Sequence, residues 1–237
     1  MKKIGIIGAM ELEVEALKNK LKMNETTPLQ VNEIAGMEFF ESCLNGVPVV
    51  VVKCGIGKVN AALCAEILAL NYHVTHVINT GVAGSLNAAL DIGDILVSKD
   101  AMYHDMDVSP LGYEPGIIPQ MEKSIFPADE RLAELALACC KKVNPDINVL
   151  SGRVVSGDQF IAKKDVKDRL VNVFHGDCAE MEGAAIAHTC FRNKLPFVIL
   201  RAISDKADDS ATMDYPTFET AAAAHCAKLV EALVAEI

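Results

Sequence analysis

The sequence predicts an α/β fold: a three-layer αβα sandwich around a central mixed, largely parallel sheet, with residues 1–237 forming one domain. Three observations carry this. Short apolar runs rich in Val and Ile alternate with segments of helical periodicity, the pattern of strands buried on both faces. Asn45-Gly46 lies between two apolar runs, the strongest short signal for a hairpin, and makes the sheet mixed. No linker, low-complexity tract or internal repeat interrupts the alternation.

The elements follow in order. Lys3 to Ile7 reads as a first buried strand, and a helix starts near Glu11 with Val14, Leu17 and Leu21 on one face. Phe39 to Leu44 and Val47 to Lys53 form the hairpin arms. The Gly-rich GIGKVN opens an Ala-rich helix. Val74 to Asn79 is a strand that ends at the turn-like TGVAGSL, and Asp94 to Ser98 is strand-like. Val149 to Ser156 and Phe197 to Ile203 are strands; Asp129 to Lys142, Lys163 to Val173, Gly183 to Arg192 and Thr217 to Glu236 are helices. Asp107 to Pro127 breaks the regularity with four prolines, and it carries Leu111, Tyr113, Ile117 and Ile118, apolar groups in need of cover.

Composition removes several classes of function. A net charge of −10 without a local basic patch repels a nucleic acid backbone; Lys163 and Lys164 sit beside Asp165 and Asp168 and read as a solvated helix face. The eight cysteines include no CxxC pair, which suggests reduced thiols in the core rather than a disulfide framework or a zinc cluster. The start, MKKIGIIGAM, superficially resembles a secretory signal, but Glu11, Glu13 and Glu15 follow at once. The longest apolar run, Val47 to Val52, is too short to span a bilayer. The expectation is a cytoplasmic protein without membrane or nucleic acid partners.

In open α/β sheets ligands sit beyond the carboxyl ends of the strands. There the sequence places GAMELE, CGIGKVN, TGVAGSL, SGDQFI, AEMEG and SDKADD, a rim of Gly, Ser and acids with few bases. GIGKVN is an imperfect dinucleotide fingerprint, since Asn60 stands where a third Gly or Ala belongs; tight strand-to-helix turns explain Gly55 and Gly57 better. Glu13 lies close to a strand end, although complementarity to the helix dipole also explains it. Asp205 closes an apolar strand, where dehydration raises a carboxyl pKa and suits a general acid, although a cap or a partner for Arg201 or Lys206 is as good a reading. On an extended segment Glu180 and Glu182 point to one face and Met181 to the other. Two such carboxylates repel unless donors reach them, and a vicinal diol supplies donors.

Taken together, GIIGAMELE, CGIGKVNAA, INTGVAG, YHDMDV, VSGDQFI, AEMEG and RAISDKAD, in this order and spacing, resemble the 5′-methylthioadenosine/S-adenosylhomocysteine nucleosidases of the nucleoside phosphorylase superfamily. The resemblance spans nearly the whole chain. It implies a phosphorylase/hydrolase-like fold and hydrolysis of the N-glycosidic bond of 5′-thio adenine nucleosides, with 5′-deoxyadenosine a further substrate, in methionine salvage. It implies no metal and no cofactor. By position it makes Glu13 the base that activates water, Asp205 the acid at purine N7, and Glu182 the clamp on the ribose hydroxyls. Met181 then packs beneath the sugar, with Glu180 supporting the site. Phe160 stacks on the purine while the backbone of Ile161 reads its edge, and Ala83 and Gly84 line the pocket near Met10, Ile56 and Val108. Arg201 and Ser204 are supporting polar residues, and Tyr215 belongs to a lid at the last helix. The family also implies a homodimer in which Leu111, Tyr113 and Pro119 cap the 5′ group of the neighbouring subunit. Two departures stand out: Val82 where some members have Ser, and Leu111 where some have an aromatic.

Three rivals remain. A phosphorylase of the same fold needs a cationic phosphate site, yet all five arginines lie at Arg131 or later and GAMELE and TGVAG carry none. A nucleoside sensor without catalysis would not need Glu13 and Asp205 together. Hydrolysis of a related nucleoside of the futalosine type stays open as a side activity.

Overall fold

The structure is a computed structural model that describes residues 2–237. A first strand, β1 (Ile4–Gly8), feeds α1 (Glu11–Lys22). Three strands follow, β2 (Gln30–Ile34), β3 (Met37–Leu44) and β4 (Val47–Lys53), then α2 (Lys58–Leu70), β5 (His76–Ser85) and β6 (Ile95–Tyr103). The Pro-rich segment holds one 3-10 turn, Ser109–Leu111, before the short β7 (Ile125–Pro127). The remainder is α3 (Glu130–Val143), β8 (Val149–Ser156), α4 (Lys164–Phe174), β9 (Cys178–Glu180), α5 (Gly183–Asn193), β10 (Phe197–Asp205) and α6 (Ala211–Glu236).

All ten strands join one mixed sheet in the order β10-β6-β8-β9-β5-β1-β4-β3-β2, with β7 beside β6. Because β10 also pairs with β5, the first five strands of this path close into a ring, and the rest extend from it through β1. Parallel pairings join β4, β1, β5 and β10 and, separately, β6, β8 and β9. The hairpin at Asn45-Gly46 is present, both residues having positive φ as a tight two-residue turn requires.

Helices cover both faces. Val14 and Leu17 of α1, Leu132 and Ala136 of α3, and Leu229, Val230 and Leu233 of α6 pack with Ile4, Ile6, Ile78 and Val198 on one side. Ala61, Cys64, Ala65 and Leu68 of α2 and Ala184, Ile186 and Cys190 of α5 pack with Val50, Val52, Val77 and Ile199 on the other. All eight cysteines are free, seven of them buried. Among the described residues, no helix is long and apolar enough to cross a membrane.

Three predicted boundaries move, and the edge strand β2 joins them unpredicted. TGVAGSL is not a turn: β5 runs on through Gly81, Val82, Ala83 and Gly84, and β10 pairs with it along that length. The extra pairing to β10 supplies backbone partners that outweigh the poor strand propensity of glycine. β6 reaches Tyr103 because β8 pairs with it that far. β2 lacked an apolar signal because its residues are mostly exposed at the sheet edge. α6 begins six residues early and carries Pro216 inside it, beyond the four leading amides that have no helical partner, so the helix forgoes one backbone hydrogen bond there.

Candidate active site

At the carboxyl ends of β1, β5, β9 and β10 lies a cavity of about 350 Å³. Its walls include Met10, Glu13, Ile56, Val82, Ala83 and Gly84, then Phe160, Ile161, Glu180, Met181 and Glu182, and finally Ser204, Asp205 and Tyr215. Stretches far apart in sequence converge there because β1, β5 and β10 run parallel and end on one side of the sheet, and the short antiparallel β9 pairs with the last residues of β5.

Glu13 stands in the first turn of α1, and its side chain folds back on the helix entrance. Oε2 accepts the amides of Ala9 at 2.7 Å and Met10 at 2.9 Å, and Oε1 accepts the amide of Val82 at 3.1 Å. The helix-dipole reading and the cavity reading therefore hold together, since one carboxylate caps the helix and lines the pocket. Burial pushes its pKa up, against the opposing pull of Arg201 and three amide donors.

Asp205 is the last residue of β10 and is 2% exposed. It accepts the Ala207 amide at 2.8 Å and the Ser204 hydroxyl at 2.9 Å. Burial raises its pKa, with Asp214 and Asp208 adding to the rise. No base neutralises it: Arg201 faces elsewhere, and Lys206 reaches Asp91 at 2.7 Å.

The AEMEG acids divide sharply. They do not share an extended segment, for β9 ends at Glu180 and Glu182 is the N-cap residue of α5. Glu180 Oε2 accepts the amides of Glu182 at 3.1 Å and Gly183 at 2.8 Å and meets Arg201 at 2.5 Å, while Oε1 takes the Ser156 hydroxyl. Burial alone would raise its pKa, but Arg201 and these donors hold it below the ordinary value. Glu182 has one protein donor, the Gly57 amide at 2.8 Å on Oε1. Burial, and then the charge of Glu180, push its pKa up to about 7. Two acids two residues apart thus do different work: Glu180 is saturated, and Glu182 retains acceptor capacity.

Arg201 lies behind this wall rather than in it. It is 2% exposed, reaches Glu180 and, at 2.5 Å, Asn79 Oδ1, and does not line the cavity. Its own burial opposes its charge, but Glu180, Glu13 and Glu182 outweigh that and raise its pKa. The supporting role expected of Arg201 is that of a buried counter-ion to Glu180, which lines the cavity with its oxygens already engaged. Asn79 and Ser156 escaped sequence reasoning, although a lone Asn in an apolar strand was the available signal.

Of the other predicted residues, Tyr215 meets Phe160 edge-to-face at 5.6 Å and donates to Met10 Sδ at 3.3 Å, so α6 closes over the cavity mouth. Val108 is not brought to the wall. Leu111 and Tyr113 are exposed, and neither they nor Pro119 line the chain's own cavity.

A closed mixed sheet with acids gathered at the β5–β10 ends belongs to a known class: residues 3–235 match the phosphorylase superfamily, and the chain belongs to it. A curated relative, the 5′-methylthioadenosine/S-adenosylhomocysteine nucleosidase of Exiguobacterium, is 41% identical over 234 residues, covering 98% of this chain and 97% of the relative. Within the superfamily the chain is therefore a member of that nucleosidase family. A solved nucleosidase of the same description from Neisseria meningitidis, in complex with methylthio-immucillin-A, superposes with a TM-score of 0.93 at 34% identity, covering all of both chains. A futalosine hydrolase of Helicobacter pylori superposes with a TM-score of 0.92 at 32% identity, covering 100% of this chain and 98% of that one.

Proposed function

We propose that the chain hydrolyses the N-glycosidic bond of 5′-methylthioadenosine and S-adenosylhomocysteine, releasing adenine and the thioribose. One observation carries the choice of water over phosphate. Glu13 and Asp205, both with raised pKa, face one cavity whose wall among the described residues includes no Arg or Lys. A phosphate dianion would meet carboxylates there and no cation.

The chemistry follows from charge. As the C1′–N9 bond breaks, its electron pair goes to the purine and positive charge builds on the ribose. Asp205, whose protonated form burial favours, gives its proton to N7 of the leaving adenine. A water oxygen bonds to C1′ and Glu13 takes a proton from it. Ionised Glu182 accepts the ribose hydroxyls and, with Glu13, stabilises the cationic sugar. Met181 lies under the sugar, Phe160 stacks on the base, and the backbone of Ile161 reads its edge. Met10, Ile56, Ala83 and Gly84 supply the remaining apolar contact, Ser204 holds Asp205, and Tyr215 covers the mouth.

We further propose a homodimer in which Leu111, Tyr113 and Pro119 of one copy complete the 5′ end of the other's site. Leu111 is 75% exposed, and α2 exposes Val59 and Leu63, an apolar surface suited to a second copy.

The reading is tested by incubating the protein with methylthioadenosine, with and without phosphate. Adenine and free methylthioribose in both buffers support it, whereas a sugar 1-phosphate formed only with phosphate would replace it by phosphorolysis. A parallel arm with a futalosine-type nucleoside measures the neighbouring specificity.

A further inference from the structure

Three loops meet beside the cavity, and one lysine ties them together. Lys58 is the first residue of α2. Its ammonium contacts Asp105 Oδ2 at 2.5 Å, stands 3.9 Å from Asp158 Oδ2, and lies over the Tyr103 ring, 5.4 Å from its centre. Its backbone amide donates to Asp158 Oδ1 at 2.9 Å, and the Asp158 amide donates to Asp105 Oδ2 at 3.1 Å. The loops after β4, β6 and β8 are thereby joined by one cation and two carboxylates.

The entrance of α2 explains why this bears on the site. The first amides of a helix have no partner inside it, and α2 has no side-chain cap of its own. Its entrance is instead satisfied from across the molecule. Asp158 takes the Lys58 amide, and Glu182 takes the preceding Gly57 amide, its one protein donor. Gly57 has a φ of +98°, and a Cβ there would lie 3.1 Å from Asp158 Oδ1. Two residues beyond Asp158 is Phe160, the wall of the base pocket. The Lys58 tie therefore sets the position of both the sugar clamp and the purine platform.

We propose that Lys58 is a positioning residue for substrate: it holds the Gly57 amide on Glu182 and the 158–161 segment at the base, touching neither reacting atom. This rests on the nucleosidase reading above. Losing the tie weakens binding more than it slows the chemistry, and it raises the pKa of Glu182 by loosening the Gly57 amide's hold on that acid.

The test replaces the ion pair by a charge-balanced one, Lys58→Met with Asp105→Asn, so that no buried carboxylate is stranded. The expected result is a KM raised about tenfold, a kcat within about threefold of the parent, and an acid limb of kcat/KM moved up by about half a pH unit. Lys58→Arg restores most of the KM. Should the double variant not fold, Asp158→Ala removes the exposed end of the tie and raises KM in the same direction. Parental KM and acid limb in the folded variants, whatever their melting temperature, would overturn the proposal. If the parent protein releases no adenine, the nucleosidase reading fails by itself. Calorimetry of adenine then still reads the tie, with weaker binding in the double variant supporting it and equal binding rejecting it.

Discussion

Gly81 leaves the space that the Glu13 carboxylate occupies: a Cβ at that position would stand 2.5 Å from Glu13 Oε1 and 3.1 Å from the Arg201 guanidinium. Three residues along the same strand, a Cβ on Gly84 would stand 2.7 Å from Asp205 Oδ1. The two acids proposed for catalysis each rest against a glycine of β5. Gly81→Ala is expected to lower kcat by about a hundredfold by displacing Glu13, and Gly84→Ala to act similarly through Asp205. Steady-state adenine release checks both, and wild-type kcat in either would show that its acid has room to shift.

Replacing the acids themselves separates their roles. Glu13→Gln and Asp205→Asn are each expected to cost roughly 10²–10⁴ in kcat, with methylthioadenosine still bound. Full activity in Glu13→Gln would remove it as the base. Because Asp205 must hold its proton, kcat should fall as pH rises through its elevated pKa.

Glu182 links function to stability. Its folded pKa, about 7, lies above the ordinary 4.5, so between these values the folded chain holds a proton that the unfolded chain has released. Stability from this group is therefore full below about pH 4.5 and lost as pH rises through 7. Glu182→Gln is expected to stabilise the empty protein by about 1–3 kcal/mol at pH 8 and by little at pH 4, while raising KM. Denaturant midpoints at the two pH values decide it; equal effects at both would exclude the linkage.

Arg201 is the buried partner of the acid cluster, and its loss strands Glu180 beside Glu13 and Glu182. Arg201→Met is expected to destabilise the fold by about 3–5 kcal/mol. Arg201→Lys should recover only part, since an ammonium can replace the one nitrogen that reaches both Glu180 and Asn79 but not the second, which donates to the Leu200 carbonyl at 3.2 Å. Thermal unfolding measures both.

Leu111→Ala tests the proposed sharing of the site between two copies. In a homodimer it should raise KM for methylthioadenosine while leaving the affinity for adenine, which lacks the 5′ group, unchanged. Sedimentation of the same variant shows whether the dimer persists.

The alternation of apolar runs and helical stripes determined the α/β class, most helices and the hairpin at Asn45-Gly46, because these depend on local periodicity and turn geometry. The acids Glu13, Glu182 and Asp205 were legible from their places at strand ends and in recurring motifs. Packing decided the rest. The strand through Gly81 and Gly84 exists because β10 pairs with it, a partner more than a hundred residues away. The division between Glu180 and Glu182 depends on where Arg201, Ser156 and the Gly57 amide come to lie. Charge state in a buried site is set by the donors and cations within a few ångströms, and a linear sequence does not specify which of them will meet.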